Sequence, residues 1–385
     1  MELTNLTKDF ISVVADKIKT PSPFFKNAVC CVEPLHKITA YSISKSRYSC
    51  ENFYFDLDKD LEKTQEKNNI QDYINYINSN DAMPVLFISP DCFDIKGEII
   101  DEIFEQYKKI GDVAVYDKKN ILFAYFISAV SNFETMLDID DGKIKKCCVD
   151  YVVPSTLKEL RERTQNLREE IFAEHEENGV QFVSFDGVEI SPFAKIDEGV
   201  VIYSGTIVKG DSVIGKDSVL GPNSIIDNSA IGTNCVINSS QVEFSKIDAD
   251  VRLGPYCHLR PNCHIESGVH IGNFVEVKNS HIGKDTKAGH LTYVGDSDVG
   301  ERVNFGCGCV TVNYNGLKKN RCNIGDEAFI GCNTNLIAPI NVGAGAYTAA
   351  GSTLSIDIPP DAHAISRARE QKIIESGAKK YRKSH

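Results

Sequence analysis

Residues Ile271–Asp296 read IGNFVEVKNSHIGKDTKAGHLTYVGD, and this stretch decides the fold of the C-terminal half. Its aliphatic residues recur at steps of six or five: Ile271, Val277, Ile282, Ala288 and Val294. That spacing fits neither the 3.6-residue period of an α-helix nor the alternation of a half-buried strand. It is typical of a coiled solenoid, in which each flat face turns one aliphatic side chain inward.

The same rhythm continues in both directions from this stretch. The positions are Ile190, Ile196, Ile202, Val208, Ile214, Leu220, Ile226, Ile231, Ile237, Ile247, Leu253, Leu259 and Ile265 before it, and Val299, Phe305, Thr311, Ile324, Ile330, Leu336, Val342, Thr348 and Leu354 after it. Three hexads make one triangular coil, so the pattern predicts about nine stacked coils. Residues 180–365 are therefore predicted to form a parallel β-helix of hexapeptide repeats.

The polar residues of this stretch suggest chemistry. His290 lies between glycine-rich turns, and Glu276, Lys278, Lys287 and Tyr293 are close to it in sequence. A base beside several cations is what a transferase needs to deprotonate an amine on an anionic substrate. A solenoid face that carries one structural histidine would contain the same residues, so this pattern leaves both interpretations open.

One interval in the repeat is longer than the others. Between Thr311 and Ile324 the chain reads VNYNGLKKNRCN. A solenoid expels such an insertion as a loop without losing the register of its core, and loops of this kind often line the functional face. The polar and basic residues of this loop are Asn313, Tyr314, Lys318, Lys319 and Arg321. They indicate either a solvated loop or an arm that contacts phosphate.

Residues 1–150 are predicted to form a modest α/β domain. PVLFIS at Pro84–Ser89 is a buried-strand pattern, and Gly97–Ile110 has helical periodicity. Asp91 falls in the loop between them, at the carboxyl end of the strand, where open α/β sheets bind ligands. Its carboxylate would either cap the loop or bind a metal.

Residues 151–179 are predicted to form a linker helix. Thr156 and Glu159 have the spacing of a capping box, and Asn178-Gly179 is a helix stop. Residues 366–385 are assigned to a basic C-terminal tail.

Composition excludes several classes of protein. The formal charge of -12 gives no overall positive field for nucleic acid. No apolar run approaches the ~20 residues of a membrane-spanning helix. The thirteen cysteines follow a polar start, MELTNLTKDF, without a signal-peptide pattern, so we predict reduced thiols and a cytoplasmic location. His258, His264 and His270 are six residues apart, which places them on three different faces and argues against a shared metal.

The residues GNFVEVKNSHIGKDTKAGHLTYVGD, with LRPN at Leu259–Asn262 and VNYNG at Val312–Gly316, resemble a known family. It is the bifunctional N-acetylglucosamine-1-phosphate uridylyltransferase/glucosamine-1-phosphate N-acetyltransferase family, and the resemblance is to its acetyltransferase domain. It covers about residues 152–367. The resemblance implies a left-handed parallel β-helix, a homotrimer with active sites at subunit boundaries, and acetyl-CoA as cosubstrate, with no metal needed for acetyl transfer.

The resemblance also implies roles for individual residues. His290 would be the general base and Glu276 would orient its imidazole. The sugar phosphate would be bound by Arg260, Lys278 and Lys319, and the sugar by Tyr293 and Asn304. The acetyl-CoA site would be lined by Cys307, Asn313, Tyr314, Cys332, Ala350 and Arg367. At Cys307 and Cys332 this chain departs from the family, which has alanine and serine there.

The resemblance weakens in residues 1–150. The family's glycine-rich LxxGxGTRM segment, which cradles nucleotide phosphates, is absent from this sequence. Asp91 matches a metal-binding aspartate of the family, but the second metal ligand, an asparagine, would fall near Ser155 or Thr156. We therefore interpret residues 1–150 as a shortened, degenerate nucleotidyltransferase-like domain.

The implied function is N-acetylation of glucosamine-1-phosphate in UDP-N-acetylglucosamine and peptidoglycan precursor synthesis, with uridylyl transfer lost. The alternatives are a fully bifunctional enzyme and a non-catalytic scaffold that binds nucleotide sugars.

Overall fold

The computed structural model describes residues 10–15, 29–30, 33–34, 39, 42–43, 45, 50–55, 85–89, 92–119, 121–127 and 144–367. For residues 10–15, 29–30, 33–34, 50–55 and 127 only the backbone is described. The chain forms two units. One comprises Met1–His175 with Glu189–Phe193, and the other comprises Glu176–Val188 with Ala194–His385. No helix within the described residues is long and apolar enough to cross a membrane.

The first unit contains a mixed β-sheet. Its elements are β1 (Phe10–Ala15), β2 (Val29–Cys30), β3 (Glu33–Pro34), β4 (Cys50–Phe55), β5 (Val85–Ile88), α1 (Gly97–Ile110), β6 (Val113–Tyr116), β7 (Leu122–Ile127), β8 (Lys145–Cys148) and α2 (Leu157–Glu177). The sheet order is β4-β1-β5-β7-β6-β8, and β2 pairs with β3 in a separate two-stranded sheet. The pairs β1–β4, β1–β5 and β6–β8 are parallel, whereas β7 is antiparallel to both neighbours.

The core of this unit lies between the sheet and α1. Leu86 and Ile88 of β5 and Ile100 and Ile103 of α1 are fully buried. They pack with Phe126 of β7 in one apolar cluster, as expected for an amphipathic helix that covers a sheet. The strand and helix predicted in this region, and the α/β class, are confirmed.

Helix α2 begins with the side-chain contacts that its sequence predicts. The Glu159 amide donates to Thr156 Oγ1 at 3.1 Å, and the Ser155 amide donates to Glu159 Oε2 at 2.6 Å. These contacts satisfy amides that the first helical turn leaves unpaired. Gly179 follows the helix with a φ of +86°, the left-handed conformation that ends many helices.

Residues 181–364 form a parallel β-helix with three faces. The first face contains Glu189–Ile190, Ile207–Lys209, Ile225–Asp227, Gln241–Glu243, His258–Leu259, Glu276–Lys278, Tyr293–Gly295, Val310–Val312, Asn335–Ile337 and Thr353–Leu354. The second face contains Lys195–Ile196, Val213–Ile214, Ala230–Ile231, Lys246–Ile247, His264–Ile265, His281–Ile282, Ser297–Val299, Cys322–Ile324 and Ile340–Val342. The third face contains Gln181–Phe182, Val201–Ile202, Val219–Leu220, Val236–Ile237, Arg252–Leu253, His270–Asn273, Lys287–His290, Asn304–Phe305, Phe329–Ile330, Tyr347–Thr348 and His363–Ala364.

The predicted hexad positions form the core of this prism. Every one of them from Ile190 to Thr348 is buried, and Leu354 in the last coil is half-buried. The prediction omitted Val242, which is fully buried and occupies the position between Ile237 and Ile247. The parallel β-helix of hexapeptide repeats is thus confirmed.

The predicted insertion leaves the prism as a loop. Strands Val310–Val312 and Cys322–Ile324 remain in register with the neighbouring coils, while Leu317 between them is 91% exposed. A single antiparallel bridge, between Tyr314 and Lys319, closes the loop on itself.

The domain limits predicted at residues 150, 179 and 365 remain predictions. Residues 368–385 of the predicted tail lie outside the described part of the chain.

Candidate active site

His290 ends a strand of the third face, where the chain turns towards the first face. It is exposed, and its register partner in the preceding coil is Asn273. Nδ1 of His290 lies 2.6 Å from Asn273 Oδ1. Because an amide oxygen can only accept a hydrogen bond, this contact requires a proton on Nδ1. In the neutral imidazole Nε2 then carries the lone pair, so the ring is in the tautomer that can accept a proton there.

Glu276 does not hold this imidazole in the structure. Its carboxylate accepts a hydrogen bond from Arg260 Nη1 at 2.9 Å, on the first face. Within the chain the imidazole contact is made by Asn273, and the role of Glu276 in orienting His290 remains a prediction. Sequence reasoning missed Asn273, although its position one coil before His290 was a usable signal.

Three cations meet on the first face. Leu259 and Val277 are register partners, which places Arg260 beside Lys278 in adjacent coils. The pKa of Lys278 is lowered, chiefly by its contact with Lys319 and then by partial burial and the charge of Arg260. Neither lysine makes an ion pair with any carboxylate in the described part of the chain. Positive charges held together without counter-charge favour an anionic ligand.

The inserted loop contributes to this cluster only in part. Lys319 reaches Lys278, but Arg321 is bound to the Asp298 carboxylate through Nε at 2.8 Å and Nη2 at 2.6 Å. Lys318 is exposed, and the Tyr314 hydroxyl donates to the Gly316 carbonyl at 2.7 Å within the loop.

Tyr293 is held by a buried polar network. Asn313 Nδ2 donates to the Tyr293 hydroxyl at 3.3 Å and to Asp296 Oδ2 at 2.5 Å. Asn279 Nδ2 donates to the other carboxylate oxygen of Asp296, and the Asp296 residue is only 5% exposed. A Cβ added at Gly295 would overlap both the Tyr293 hydroxyl and Asn313 Nδ2, so only glycine leaves room for the ring. Asp296 is a second residue that the sequence reasoning missed.

Several predicted residues form one column along the corner between the third and first faces. Ala288 pairs with Phe305, Phe305 with Ile330, and Ile330 with Thr348. The residues two positions after each of these therefore occupy equivalent positions in successive coils. The column consists of Asn273, His290, Cys307, Cys332 and Ala350. Arg367, the last described residue, is exposed.

The two residues expected to hold the sugar lie on different faces. Tyr293 belongs to the first face, in register with Glu276, whereas Asn304 belongs to the third face, between Lys287 and Phe329. His258, His264 and His270 lie on the first, second and third faces, as predicted. Among the described residues, no three His, Cys, Asp or Glu side chains are arranged to hold a metal ion.

In the first unit Asp91 lies outside the described residues. Its neighbour Asp94 accepts hydrogen bonds from Arg163 Nη1 at 2.8 and 2.9 Å and from the Tyr151 hydroxyl at 2.5 Å. Burial, and then the charges of nearby groups that include Asp94, raise the pKa of Tyr151 well above its ordinary value. Asp117 is buried and accepts two backbone amides. Both carboxylates are thus used in internal contacts.

A bacterial transferase hexapeptide (six repeats) family model matches residues 244–279. The protein named bifunctional protein GlmU from Caldicellulosiruptor saccharolyticus is 44% identical over 271 residues, which are 69% of this chain and 58% of that protein. The protein of the same name from Bacillus subtilis is 50% identical over 211 residues, 55% of this chain and 46% of the relative.

This chain is a relative of the GlmU proteins. The GlmU protein of Bacillus licheniformis agrees, at 57% identity over 53% of this chain and 45% of its own length. The family resemblance inferred from the sequence motifs is thus confirmed. The chain spans only about half the length of these GlmU relatives. A UDP-N-acetylglucosamine acyltransferase structure from Arabidopsis is 17% identical and matches 53% of this chain and 73% of the Arabidopsis chain. Its TM-score of 0.26 supports no conclusion about this chain.

Proposed function

We propose that this chain is an acetyl-CoA-dependent N-acetyltransferase that converts glucosamine-1-phosphate into N-acetylglucosamine-1-phosphate. The observation that carries the proposal is the contact between His290 Nδ1 and Asn273 Oδ1, which leaves Nε2 of the neutral ring to accept a proton. The cluster of Arg260, Lys278 and Lys319, in which neither lysine has a carboxylate partner among the described residues, supports a phosphate on the acceptor. The identity to GlmU proteins supports the amino-sugar substrate.

The chemistry follows from these groups. The sugar amine attacks the thioester carbonyl carbon, and His290 Nε2 takes the amine proton as the carbon–nitrogen bond forms. The carbon–sulfur bond then breaks, and the leaving thiolate of CoA takes the proton back from the imidazole. The cations bind a phosphate that does not react, so they contribute positioning. None of these steps needs a metal, and we expect acetyl transfer to persist in EDTA.

We further propose that the active enzyme is a homotrimer. Tyr293 and Asn304 lie on different faces of one prism, and a neighbouring subunit would bring a first face to a third face. Tyr256, Phe274 and Leu291 support this proposal, because they form an exposed apolar stripe along the corner beside His290. They are 63%, 57% and 56% exposed, and their φ angles are +59°, +57° and +47°. Large side chains rarely adopt this conformation, and here three of them occupy successive turns of one corner, which supports a contact with a neighbouring subunit.

We propose that uridylyl transfer has been lost. Supporting this, the sequence lacks the glycine-rich phosphate loop, and Asp94 and Asp117 are engaged internally. Ser155 and Thr156, which stand near the position of the family's second metal ligand, cap helix α2 instead. The product would then serve UDP-N-acetylglucosamine and cell-wall precursor synthesis in the cytoplasm.

One assay tests the proposal. The purified chain is given acetyl-CoA and a panel of amino sugars with and without a 1-phosphate, and release of the CoA thiol is followed in EDTA. We expect release with glucosamine-1-phosphate and much less with glucosamine. No release with any member would favour a non-catalytic scaffold. Pyrophosphate release from UTP, N-acetylglucosamine-1-phosphate and Mg²⁺ would favour the fully bifunctional enzyme.

A further inference from the structure

Cys307 and Cys332 occupy equivalent turn positions in adjacent coils, directly after His290 in the corner column. Their register is fixed on both sides, because the Gly306 amide donates to the Ile330 carbonyl at 2.7 Å and the Asn333 amide donates to the Cys307 carbonyl at 2.8 Å. Neighbouring strands lie about 4.8 Å apart, which is within the Cα separation that a disulfide spans.

The Cys332 thiol lies on the side of its strand that is next to the coil of Cys307. A Cβ built on Gly306, the residue before Cys307, would lie 2.9 Å from Cys332 Sγ. Cys332 is exposed and Cys307 is half-buried, so neither residue is enclosed in the core of the prism. From these positions we propose that Cys307 and Cys332 are a thiol modification site, which low-molecular-weight disulfides oxidise to an intramolecular disulfide.

None of the other cysteines whose side chains are described competes for this reaction. Ten cysteines have described side chains, and besides this pair only Cys148 is exposed. Its sequence neighbour Cys147 is buried, and successive residues of a strand point to opposite faces of the sheet. Cys309 is close to the pair, but its thiol is buried and donates to the Gly331 carbonyl at 3.1 Å. Burial raises the pKa of Cys309 to about 11, which keeps it in the unreactive thiol form at neutral pH.

The reaction is a balanced thiol–disulfide exchange. One cysteine thiolate attacks a sulfur of the external disulfide, forming a mixed disulfide and releasing one thiolate. The second cysteine thiolate attacks the protein sulfur of that mixed disulfide and releases the second small thiolate. The two cysteine thiols are oxidised, the external disulfide is reduced to two thiols, and the two protons pass to the leaving groups.

The oxidised pair should block acetyl transfer, and this consequence rests on the proposed function. The bond would tie together two successive coils in the column that contains His290, where the acetyl group must approach the amine. A displacement of reacting groups by about 1 Å is enough to lower a rate by about a hundredfold. Reduction restores both thiols, so the loss should be reversible.

The test uses the full-length chain and oxidised glutathione. Intact mass and peptide mapping follow the wild type, Cys307→Ala, Cys332→Ser and Cys148→Ser, the last as a control at an exposed thiol outside the column. We expect the wild type and Cys148→Ser to lose two hydrogens and to yield a linked Cys307–Cys332 peptide. Cys307→Ala and Cys332→Ser should form only mixed disulfides. Failure of the linked peptide to appear in wild-type protein would overturn the proposal.

Activity is measured separately, so that the site and the proposed function are tested independently. Acetyl transfer by oxidised wild type should fall at least about tenfold and return with dithiothreitol. Acetyl-CoA added before the oxidant should slow formation of the linked peptide. A linked peptide in a chain that never transfers acetyl would preserve the modification site and contradict the proposed function. A linked peptide with unchanged acetyl transfer would overturn the blocking effect.

Discussion

At the scale of single residues, the proposed mechanism depends on the contact between His290 and Asn273. His290→Ala removes the group that we propose accepts the amine proton, so we expect kcat to fall by roughly a hundredfold or more. KM for the sugar phosphate should change little, because the cation cluster remains. His281→Ala is the matched control, since His281 lies on the second face and its Nε2 contacts Glu266 at 2.8 Å. Steady-state kinetics that show equal, small effects for both variants would contradict the role of His290.

Asn273 should act on the rate through His290. Asn273→Ala removes the acceptor for Nδ1–H and frees the ring to rotate, so we expect kcat to fall about tenfold with little change in KM. Glu276→Gln is the comparison, because Glu276 contacts Arg260 rather than the imidazole. If kcat fell further in Glu276→Gln than in Asn273→Ala, Glu276 would be the orienting group in the assembled enzyme.

The lowered pKa of Lys278 predicts a pH dependence of substrate binding. A lysine binds phosphate while protonated, and a lowered pKa means that this charge is lost at a lower pH than usual. KM for glucosamine-1-phosphate should therefore rise as the pH increases through that pKa. Lys319→Gln removes the largest cause of the lowered Lys278 pKa. The rise in KM should therefore occur at a higher pH, even though the variant binds the sugar phosphate more weakly. Lys318→Gln, in the same loop, should leave the pH at which KM rises unchanged. If this pH changed equally in both variants, Lys319 would not be the cause of the lowered Lys278 pKa.

At the scale of elements, the strand Tyr293–Gly295 depends on the inserted loop for the position of its tyrosine. Gly295→Ala should displace the Tyr293 ring and break its contact with Asn313, because the new Cβ overlaps both. Losing one hydrogen bond to the sugar should raise KM about tenfold. Gly289→Ala adds a methyl group that meets no atom within 4 Å and serves as the control. Kinetics in which Gly295→Ala leaves KM unchanged would show that Tyr293 does not bind the sugar.

The same elements show what a sequence can and cannot predict. The hexad positions were predictable because each coil repeats one environment, so that the burial of Ile202 or Leu259 follows from spacing alone. The loop at residues 313–321 was predictable as an interruption of that spacing. The partner of His290 was not, because a hydrogen bond between side chains depends on which residues the register of adjacent coils brings together. For the same reason Asp296 was missed, although Asn313 was identified.

At the scale of the whole molecule, the chain combines a net charge of -12 with a local cation cluster. Many solenoid cations are paired: Arg302 contacts Glu327, Arg321 contacts Asp298 and Lys216 contacts Glu198. Lys278 and Lys319 differ from these residues because they face each other. An acidic background leaves an anion few other places to bind, which makes the cluster selective as well as attractive.

The proposed trimer gives the last prediction, because the apolar corner stripe can be altered without straining the coil. Asparagine tolerates the left-handed conformation better than phenylalanine does, so Phe274→Asn should preserve the β-helix while removing an exposed ring that stacks on Tyr256 at 5.6 Å. We expect light scattering to give a trimer mass for the wild type and a lower mass for Phe274→Asn, with loss of acetyl transfer. Phe244→Asn is the matched control, since Phe244 is 55% exposed with a φ of +43° at the corner between the first and second faces. It should remain trimeric and active. A wild-type monomer that transfers acetyl would contradict the proposed assembly, and dissociation of both variants would show that the contact is not confined to the corner beside His290.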